Sequence, residues 1–541
     1  MNSIIKMREF IPLLVLIFIA LVVTDVKPNL NNPPQVGDIF SAFHILFWVL
    51  LIFYSITGVL IIGISKSYIV HIVLSVSMWL LMVIKPVYMA FPSMWKGSVG
   101  QVVLANNINN WIGIQAKGWP GAYLLLTSFS NVVNIDNLTT SLLLSMALLF
   151  VIFIMLFMIG RKLVGRNNAY ILPLILALAS PYLSAIYYYS DQLLGFVHLL
   201  TLIHLSTENP RTARNATIFI LLSSALVITH PITAILFFGG LSISLFLQTV
   251  YKYSSSPHVL LLFFVMFAGW HLHNYYSCVL IRPYILSLLS QPYIWENASP
   301  TSHLAHPTLP QMFSFAYRFV ILARYIYLTL LGLLTIGGIL YFKKELYKRR
   351  EAIPFLALLI TAAIFIAIDT QRHFSNRAML FLLTSSSCIS GLFLTKTRLK
   401  KLLLCCFVIL LPLLFAATFL PSIQLAYTHT WELTSGSFYA LHLPRKSPIL
   451  IDGDSFFTMI YYDPNIIANR SLTGAVMGEI NPSSFLHGIN NLLILRSLRQ
   501  DMTSQMIYGV NASGWRVFDM NLQNSTSLIY NNYYVKIFFK L

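Results

Sequence analysis

The sequence predicts an all-α polytopic membrane bundle of about 13 transmembrane helices, followed by a small C-terminal extracytoplasmic domain of α/β or α+β class. Of its 541 residues, 57% are hydrophobic and only 10% are charged, whereas soluble proteins carry about 25% charged residues. Apolar blocks without the alternating polarity of barrel strands continue to residue 420, and hydropathy then falls. This composition excludes a soluble enzyme.

The apolar blocks define the predicted spans and divide the chain into three parts. We predict spans at residues 11–23, 40–64, 68–84, 138–158, 169–188, 193–205, 216–229, 232–250, 259–276, 319–342, 353–368, 378–394 and 402–420. The first block lacks a small-residue cleavage site, so we interpret it as a retained span and not as a signal peptide. The predicted parts are an N-terminal transmembrane hairpin (1–66), a transmembrane core (67–420) with outer interfacial loops at 85–137 and 277–317, and the terminal domain (421–541).

The basic residues predict the topology. The net charge is +18, from 35 Lys and Arg against 17 Asp and Glu, and most of the basic residues fall in every second loop. Such a bias orients helices in a membrane, so it indicates no nucleic-acid partner. It predicts a multi-pass plasma-membrane protein with a cytoplasmic N-terminus and an extracytoplasmic C-terminal domain. Five of six glycosylation sequons fall on the predicted outer side; the sequons begin at Asn137, Asn215, Asn297, Asn469, Asn511 and Asn524.

The terminal domain contains two patterns typical of strands. Residues 448–454 (PILIDGD) predict a buried strand that ends in a turn, and residues 527–538 predict a hairpin around Asn531 and Asn532.

Acidic side chains at the outer helix ends are the candidates for a general base. Outside the terminal domain they are Asp25, Asp38, Asp136, Asp191, Glu296 and Asp369. The alternative for each is a solvated helix cap. The sequence has no nucleotide-binding glycine loop, which argues against a soluble nucleotide-sugar donor.

A basic cluster in residues 369–377 (DTQRHFSNR) predicts an anion site. Arginine matches phosphate with paired donors, so Arg372 and Arg377 are candidates to bind a lipid phosphate. Headgroup anchoring is the alternative. Arg324 lies inside an apolar block and is a third candidate, with snorkelling to the interface as its alternative.

Three further polar residues are predicted to line a cavity at this anion site. His230 precedes a proline between two spans, and Asp369 and His373 belong to the basic cluster; for His230 the alternative is a proline-shaped turn. The histidines at 271, 273, 303 and 306 match no strong zinc pattern, so the metal ligands stay unassigned.

Several short motifs together carry a family resemblance. They are residues 118–125 (GWPGAYLL), 181–183 (PYL), 188–192 (YYSDQ), 226–231 (LVITHP), 376–377 (NR) and 529–532 (IYNN). With the spans, they resemble archaeal and bacterial membrane glycosyltransferases of the GT-C superfamily. The resemblance implies transfer of a sugar from a polyprenyl-phosphate donor to a glycan or protein acceptor at the outer membrane face, and a divalent cation is compatible with it.

One departure from the family pattern bears on the base. Family members usually carry an acidic residue in the first long outer loop, but residues 85–117 contain no Asp or Glu. Asp25, Asp38, Asp191 and Glu296 therefore stay open as alternatives for the base. The missing acid also leaves a divergent, noncatalytic GT-C-like scaffold as one alternative function, and a lipid or solute transporter (flippase) is another.

Overall fold

The computed structural model describes most of the helical core and part of the terminal domain. The described residues are 14–21, 45–89, 118–206, 213–253, 257–279, 315–342, 350–368 and 375–418, apart from single positions within them, together with four strands between 449 and 540 and a few isolated helical residues.

The described part of the core is helical. Its α-helices are α1 (Ile45–Ile64), α2 (Tyr68–Trp79), α3 (Lys85–Met89), α4 (Gly121–Val133), α5 (Asn137–Leu163), α6 (Ile171–Leu178), α7 (Asp191–Ser206), α8 (Ala213–Thr229), α9 (Pro231–Val250), α10 (Pro257–His273), α11 (Phe315–Phe342), α12 (Ile353–Ile368), α13 (Ser375–Lys396), α14 (Lys400–Ile409) and α15 (Leu411–Thr418). A π-helical segment, Leu80–Ile84, joins α2 to α3.

The core is a multi-pass membrane bundle, as predicted. Within the described residues, seven helices are long and apolar enough to cross a bilayer, or eight if α14 and α15, which meet at 44°, form one bent span. Helices α4, α8 and α10 are apolar but shorter. Helices α8 and α10 correspond to predicted spans and have 17 residues each, the lower end of the length that crosses a bilayer, whereas α4 lies in the predicted outer loop 85–137.

The prediction of one long span at residues 169–188 was wrong. Helix α6 ends at Leu178, and a single 3-10 turn, Ser180–Tyr182, follows it. Proline at position 181 cannot donate to the helical ladder, so the helix stops before it. The hydroxyls of Ser180 and Thr418 lie 2.8 Å apart and hold this break against the end of α15.

The first helix and the last described helices of the core pack together. The Ser55 hydroxyl on α1 donates to the carbonyl of Val408 at 2.8 Å. A Cβ on Gly58 would lie 3.1 Å from Val408 Cγ1, so the absence of a side chain lets α1 approach α14 closely. Small residues often permit such contacts between membrane helices.

The terminal domain contains a four-stranded sheet in the order β1-β2-β4-β3, with β1 (Ile449–Ile451), β2 (Leu492–Ser497), β3 (Ser527–Asn531) and β4 (Val535–Lys540). Strand β1 pairs in parallel with β2, while β4 is antiparallel to β2 and β3. The predicted strand and hairpin are both present, whereas β2 was not predicted. A mixed sheet agrees with the predicted α/β or α+β class.

Candidate functional site

Two of the sequence motifs meet where α4 begins. A Cβ on Gly121 would lie 3.1 Å from Thr229 Cα and 3.2 Å from the Ile228 carbonyl oxygen, and it would also strike the Thr229 hydroxyl. Only glycine allows this approach, because the obstacle includes backbone atoms of α8. The motif that precedes α4 is therefore packed directly against the break between α8 and α9.

A third motif, residues 188–192, contacts the start of α4. The Tyr189 hydroxyl donates to the carbonyl of Ala122 at 2.6 Å, which ties the bend before α7 to the first turn of α4. The buried Ser190 hydroxyl then accepts from the Leu193 amide at 3.1 Å. This cap-type bond starts α7 and places Asp191 as its first residue.

His230 caps α9 beside Asp191. Its Nδ1 accepts from the Thr233 amide at 3.2 Å and lies 2.6 Å from the Thr233 hydroxyl. Because Nδ1 is an acceptor, the neutral ring carries its proton on Nε2. A Cβ on Gly195, one turn after Asp191, would lie 2.9 Å from His230 Cβ. Glycine at position 195 therefore brings α7 against this cap.

Arg377 completes the group. It lies in the first turn of α13, and its positive charge acts electrostatically on both Asp191 and His230. The Asp191 carboxylate accepts a hydrogen bond from the Gln192 amide at 3.0 Å. Among the described residues, no hydrogen bond or ion pair joins Asp191 to Arg377 directly.

The surroundings favour a bound anion. Helices α4, α7, α9 and α13 all begin here, at Gly121, Asp191, Pro231 and Ser375 respectively. The dipole of a helix N-terminus attracts negative charge. Four such ends beside one guanidinium can hold a phosphate next to a carboxylate.

Burial and charge act on the two titratable neighbours of Arg377. Burial raises the pKa of the Asp191 carboxyl above its ordinary value, and the Arg377 charge opposes this rise. Burial lowers the pKa of His230 well below its ordinary value, and Arg377 lowers it further. His230 therefore stays neutral at physiological pH, whereas Asp191 gives up its proton at a higher pH than an exposed carboxyl.

The structure brings together three of the residues named from the sequence, namely Asp191, His230 and Arg377. Six others lie outside the described residues: Asp25, Asp38, Glu296, Asp369, Arg372 and His373.

Arg324, another residue named from the sequence, contacts an aromatic ring. Its guanidinium carbon lies 4.7 Å from the centre of the Tyr182 ring, and the Tyr182 hydroxyl donates to the Arg324 carbonyl at 3.2 Å. Tyr182 belongs to the 3-10 turn after α6. A cation over an aromatic face is a favourable pair, so Arg324 joins α11 to this turn.

The sequence analysis missed several residues that shape the site. Gly195 and Thr233 fix the position of His230. The side chain of Gln192 is buried, and within the described residues its Nε2 has no hydrogen-bond partner. A buried polar group of this kind costs free energy unless a ligand or water satisfies it. The available signal was the polar run 189–192 between two apolar blocks.

A polar network lies beside the start of α4. Trp119 Nε1 donates to the Ser277 hydroxyl at 3.2 Å, and that hydroxyl is also hydrogen-bonded to His271 Nδ1. Trp270 Nε1 donates to the Gly118 carbonyl at 3.2 Å. These bonds hold the residues before Gly121 against the end of α10.

In the described part of the chain, no group of three His, Cys, Asp or Glu side chains is placed to hold a metal ion. Asp191 is the one described carboxylate of the site, so its residues do not make up a cation site by themselves.

We expect Gly195→Val to destabilise the protein, because a Cβ at this position would collide with His230. Overpacking of this kind costs about 1–3 kcal/mol. The measurement is the apparent Tm in detergent. Gly332→Val is the matched control, since a Cβ on Gly332 would meet no atom within 4 Å. Equal apparent Tm values for the two variants would contradict the close packing of α7 on His230.

Comparison with known proteins gives the fold. No protein-family model matches the chain, and no curated protein sequence does. The chain is similar in structure to ArnT from Cupriavidus metallidurans bound to undecaprenyl phosphate, with a TM-score of 0.50 and 9% identity over 87% of this chain and 98% of ArnT. The archaeal oligosaccharyltransferase AglB from Archaeoglobus fulgidus, in complex with an inhibitory peptide and a dolichol-phosphate, gives a TM-score of 0.49 and 11% identity over 82% of this chain and 71% of AglB. The likeness to ArnT shows that the chain has the GT-C fold, as the motif resemblance implied.

Proposed function

We propose that this GT-C-fold membrane protein transfers a sugar from a polyprenyl-phosphate donor to a hydroxyl of a glycan or protein acceptor. The observation that carries the proposal is the placement of Asp191 and Arg377 within electrostatic reach of each other where four helices begin. The same end of the bundle faces the extracytoplasmic side in the topology proposed from the basic loops.

In the proposed reaction, Arg377 and the helix N-termini bind the phosphate of the donor. The acceptor oxygen attacks the sugar C1, the bond from C1 to the phosphate oxygen breaks, and polyprenyl phosphate leaves with the electron pair. The acceptor proton passes to the Asp191 carboxylate. Electrostatic stabilisation of the leaving phosphate and base catalysis each lower the barrier.

The charge arrangement couples donor binding to the base. In the free protein, the Arg377 charge opposes the rise in the pKa of Asp191. A donor phosphodiester on Arg377 brings one negative charge, which offsets the guanidinium charge that acts on Asp191, so the pKa of Asp191 rises further. A carboxylate with a higher pKa is a stronger proton acceptor once the donor is in place.

This coupling predicts two separate pH midpoints. Activity needs ionised Asp191, so the rate rises with pH through the pKa of this group and then levels off. The dependence of kcat/KM on pH reports the free protein and that of kcat reports the bound complex. We expect the acid limb of kcat to lie at higher pH than that of kcat/KM, measured by initial rates from pH 4 to 8. Coincident or reversed midpoints would contradict the coupling.

The direct test of the proposed function uses the purified full chain reconstituted in sealed proteoliposomes. A panel of polyprenyl-phosphate monosaccharides carrying a tritiated sugar is tested first for binding and then for transfer to glycan and peptide acceptors. We expect both binding and transfer with at least one donor. Binding without transfer to any acceptor would overturn the proposal in favour of a noncatalytic scaffold, and movement of intact donor across the bilayer without transfer would favour a flippase.

A further inference from the structure

A cavity lies far from Asp191, towards the opposite end of the bundle. Its volume is about 150 Å³. The helices α7, α8, α9, α10 and α12 line it, with Ile203, Phe219, Phe237, Gly240, Val259 and Leu358 among the contributing residues. Ile203 lies about 18 Å along α7 from Asp191, given a rise of about 1.5 Å per residue. The cavity is therefore separate from the site described above.

The interior of this cavity is apolar. Aliphatic and aromatic side chains line most of it. An apolar cavity of about 150 Å³ stays dry and accepts apolar ligands. A hydrocarbon chain therefore fits the interior better than water or a sugar does.

The mouth of the cavity is polar and basic. Arg350, which is exposed, lies at the start of α12, and Asn215 and Gln248 contribute carboxamides from α8 and α9. Gln248 Nε2 donates to the Ser244 hydroxyl at 3.3 Å. The ligand that matches this lining is amphipathic, with an apolar chain inside and a polar head at Arg350.

The electrostatics of this end favour an anionic head. Three of the five lining helices, α8, α10 and α12, begin at this end. Their N-termini add positive potential to that of Arg350. Exposed basic residues also cluster at this end, among them Arg161, Lys162, Arg166, Lys252, Lys396 and Arg398. Basic pockets between membrane helices are a known mode of binding for anionic lipid headgroups.

We propose that this cavity binds one anionic glycerophospholipid of the adjoining leaflet. Part of one acyl chain enters between α9 and α12, and the phosphate pairs with the Arg350 guanidinium, whose paired donors match phosphate oxygens. A zwitterionic lipid would bring its own cation to the same basic mouth and bind less tightly. The lipid would bridge α8, α9 and α12 at the end of the bundle opposite to Asp191.

The test is native mass spectrometry of the full chain released from detergent. The protein is titrated with dioleoyl phosphatidylglycerol or dioleoyl phosphatidylcholine, and undecaprenyl phosphate is added as competitor. Gly240→Leu fills the cavity; a Cβ there would lie 3.6 Å from Leu358 Cδ1, which is ordinary contact, so the new side chain enters without displacing backbone. Ala216→Phe fills it from α8, and Arg350→Gln removes the charge.

We expect wild type to retain one phosphatidylglycerol about ten-fold more tightly than phosphatidylcholine. Both filling variants lose this lipid, and Arg350→Gln loses the preference between the two headgroups. The matched controls are Gly332→Leu and Arg282→Gln, which replaces an exposed arginine beyond the end of α10 that is far from the cavity, and both bind as wild type does. Unchanged retention in Gly240→Leu and Ala216→Phe would overturn the proposal, and so would equal affinity of wild type for the two phospholipids. Displacement of phosphatidylglycerol from wild type by an equimolar amount of undecaprenyl phosphate would also overturn it, because the cavity would then be a polyprenyl site.

Discussion

Replacing Asp191 with Asn is expected to lower kcat for sugar transfer by about 10²–10⁴-fold, the usual contribution of a positioned general base. Asparagine has nearly the same shape and still accepts the hydrogen bond from the Gln192 amide, so α7 keeps its first turn. The substitution removes the proton acceptor and little else. Initial rates at saturating donor, measured at the pH plateau of the wild type, give the effect.

Asp136→Asn is the matched control for this substitution. Asp136 was among the acidic candidates in the sequence, but the structure shows that it caps α5 by accepting from the Thr139 amide at 2.9 Å. Asparagine is an equally good cap, so we expect unchanged kcat and apparent Tm. If Asp191→Asn retains the same kcat as Asp136→Asn, Asp191 is not the base, and the proposed chemistry needs another carboxylate.

The second large effect is expected at Arg377. Arg377→Ala removes the guanidinium that acts on Asp191 and His230, and with it the proposed pairing to the donor phosphate. We expect kcat/KM to fall by about 10²–10³-fold, as when one donor to a developing anion is removed from an active site. Arg377→Lys keeps the charge but loses the paired donors, so its loss is smaller.

Arg398→Ala serves as the control for Arg377→Ala. Arg398 is exposed and follows the end of α13 opposite to Arg377, so its loss changes the net charge equally without touching the site. We expect wild-type kinetics for this control. A similar fall in both variants would mean that the effect comes from net charge at the membrane surface, as headgroup anchoring predicts.

Much of the fold could be predicted because a membrane leaves few choices for the backbone. Long apolar blocks without alternation must be helices, and most predicted spans are helical where the structure describes them. The block at 169–188 failed because hydropathy does not register the break at Ser180 and Pro181. Strand β2 was missed because no pairing partner is adjacent to it in sequence; its partners β1 and β4 lie on either side of it at long range.

The site could be predicted as a set of candidates but not as an arrangement. The sequence offered Asp25, Asp38, Asp191 and Glu296 on equal terms as the base. Of these four, Asp191 is the one that lies within the described residues. Tertiary packing through residues without side chains sets its position: Gly121 and Gly195 permit the approach of α4 and α7 to the break before α9. Such contacts join segments more than thirty residues apart in the sequence, so no local sequence pattern predicts them.

The affinity of undecaprenyl phosphate for wild type, Asp191→Asn and Arg377→Ala, measured side by side in nanodiscs, tests the central claim most directly. If the phosphate binds between these two residues, removing the Asp191 charge removes a repulsion and tightens binding, even though transfer is lost. Removing Arg377 weakens binding. Shifts in opposite directions are the predicted result. Unchanged affinity in both variants, or weaker binding in Asp191→Asn, would contradict a phosphate site shared by these residues.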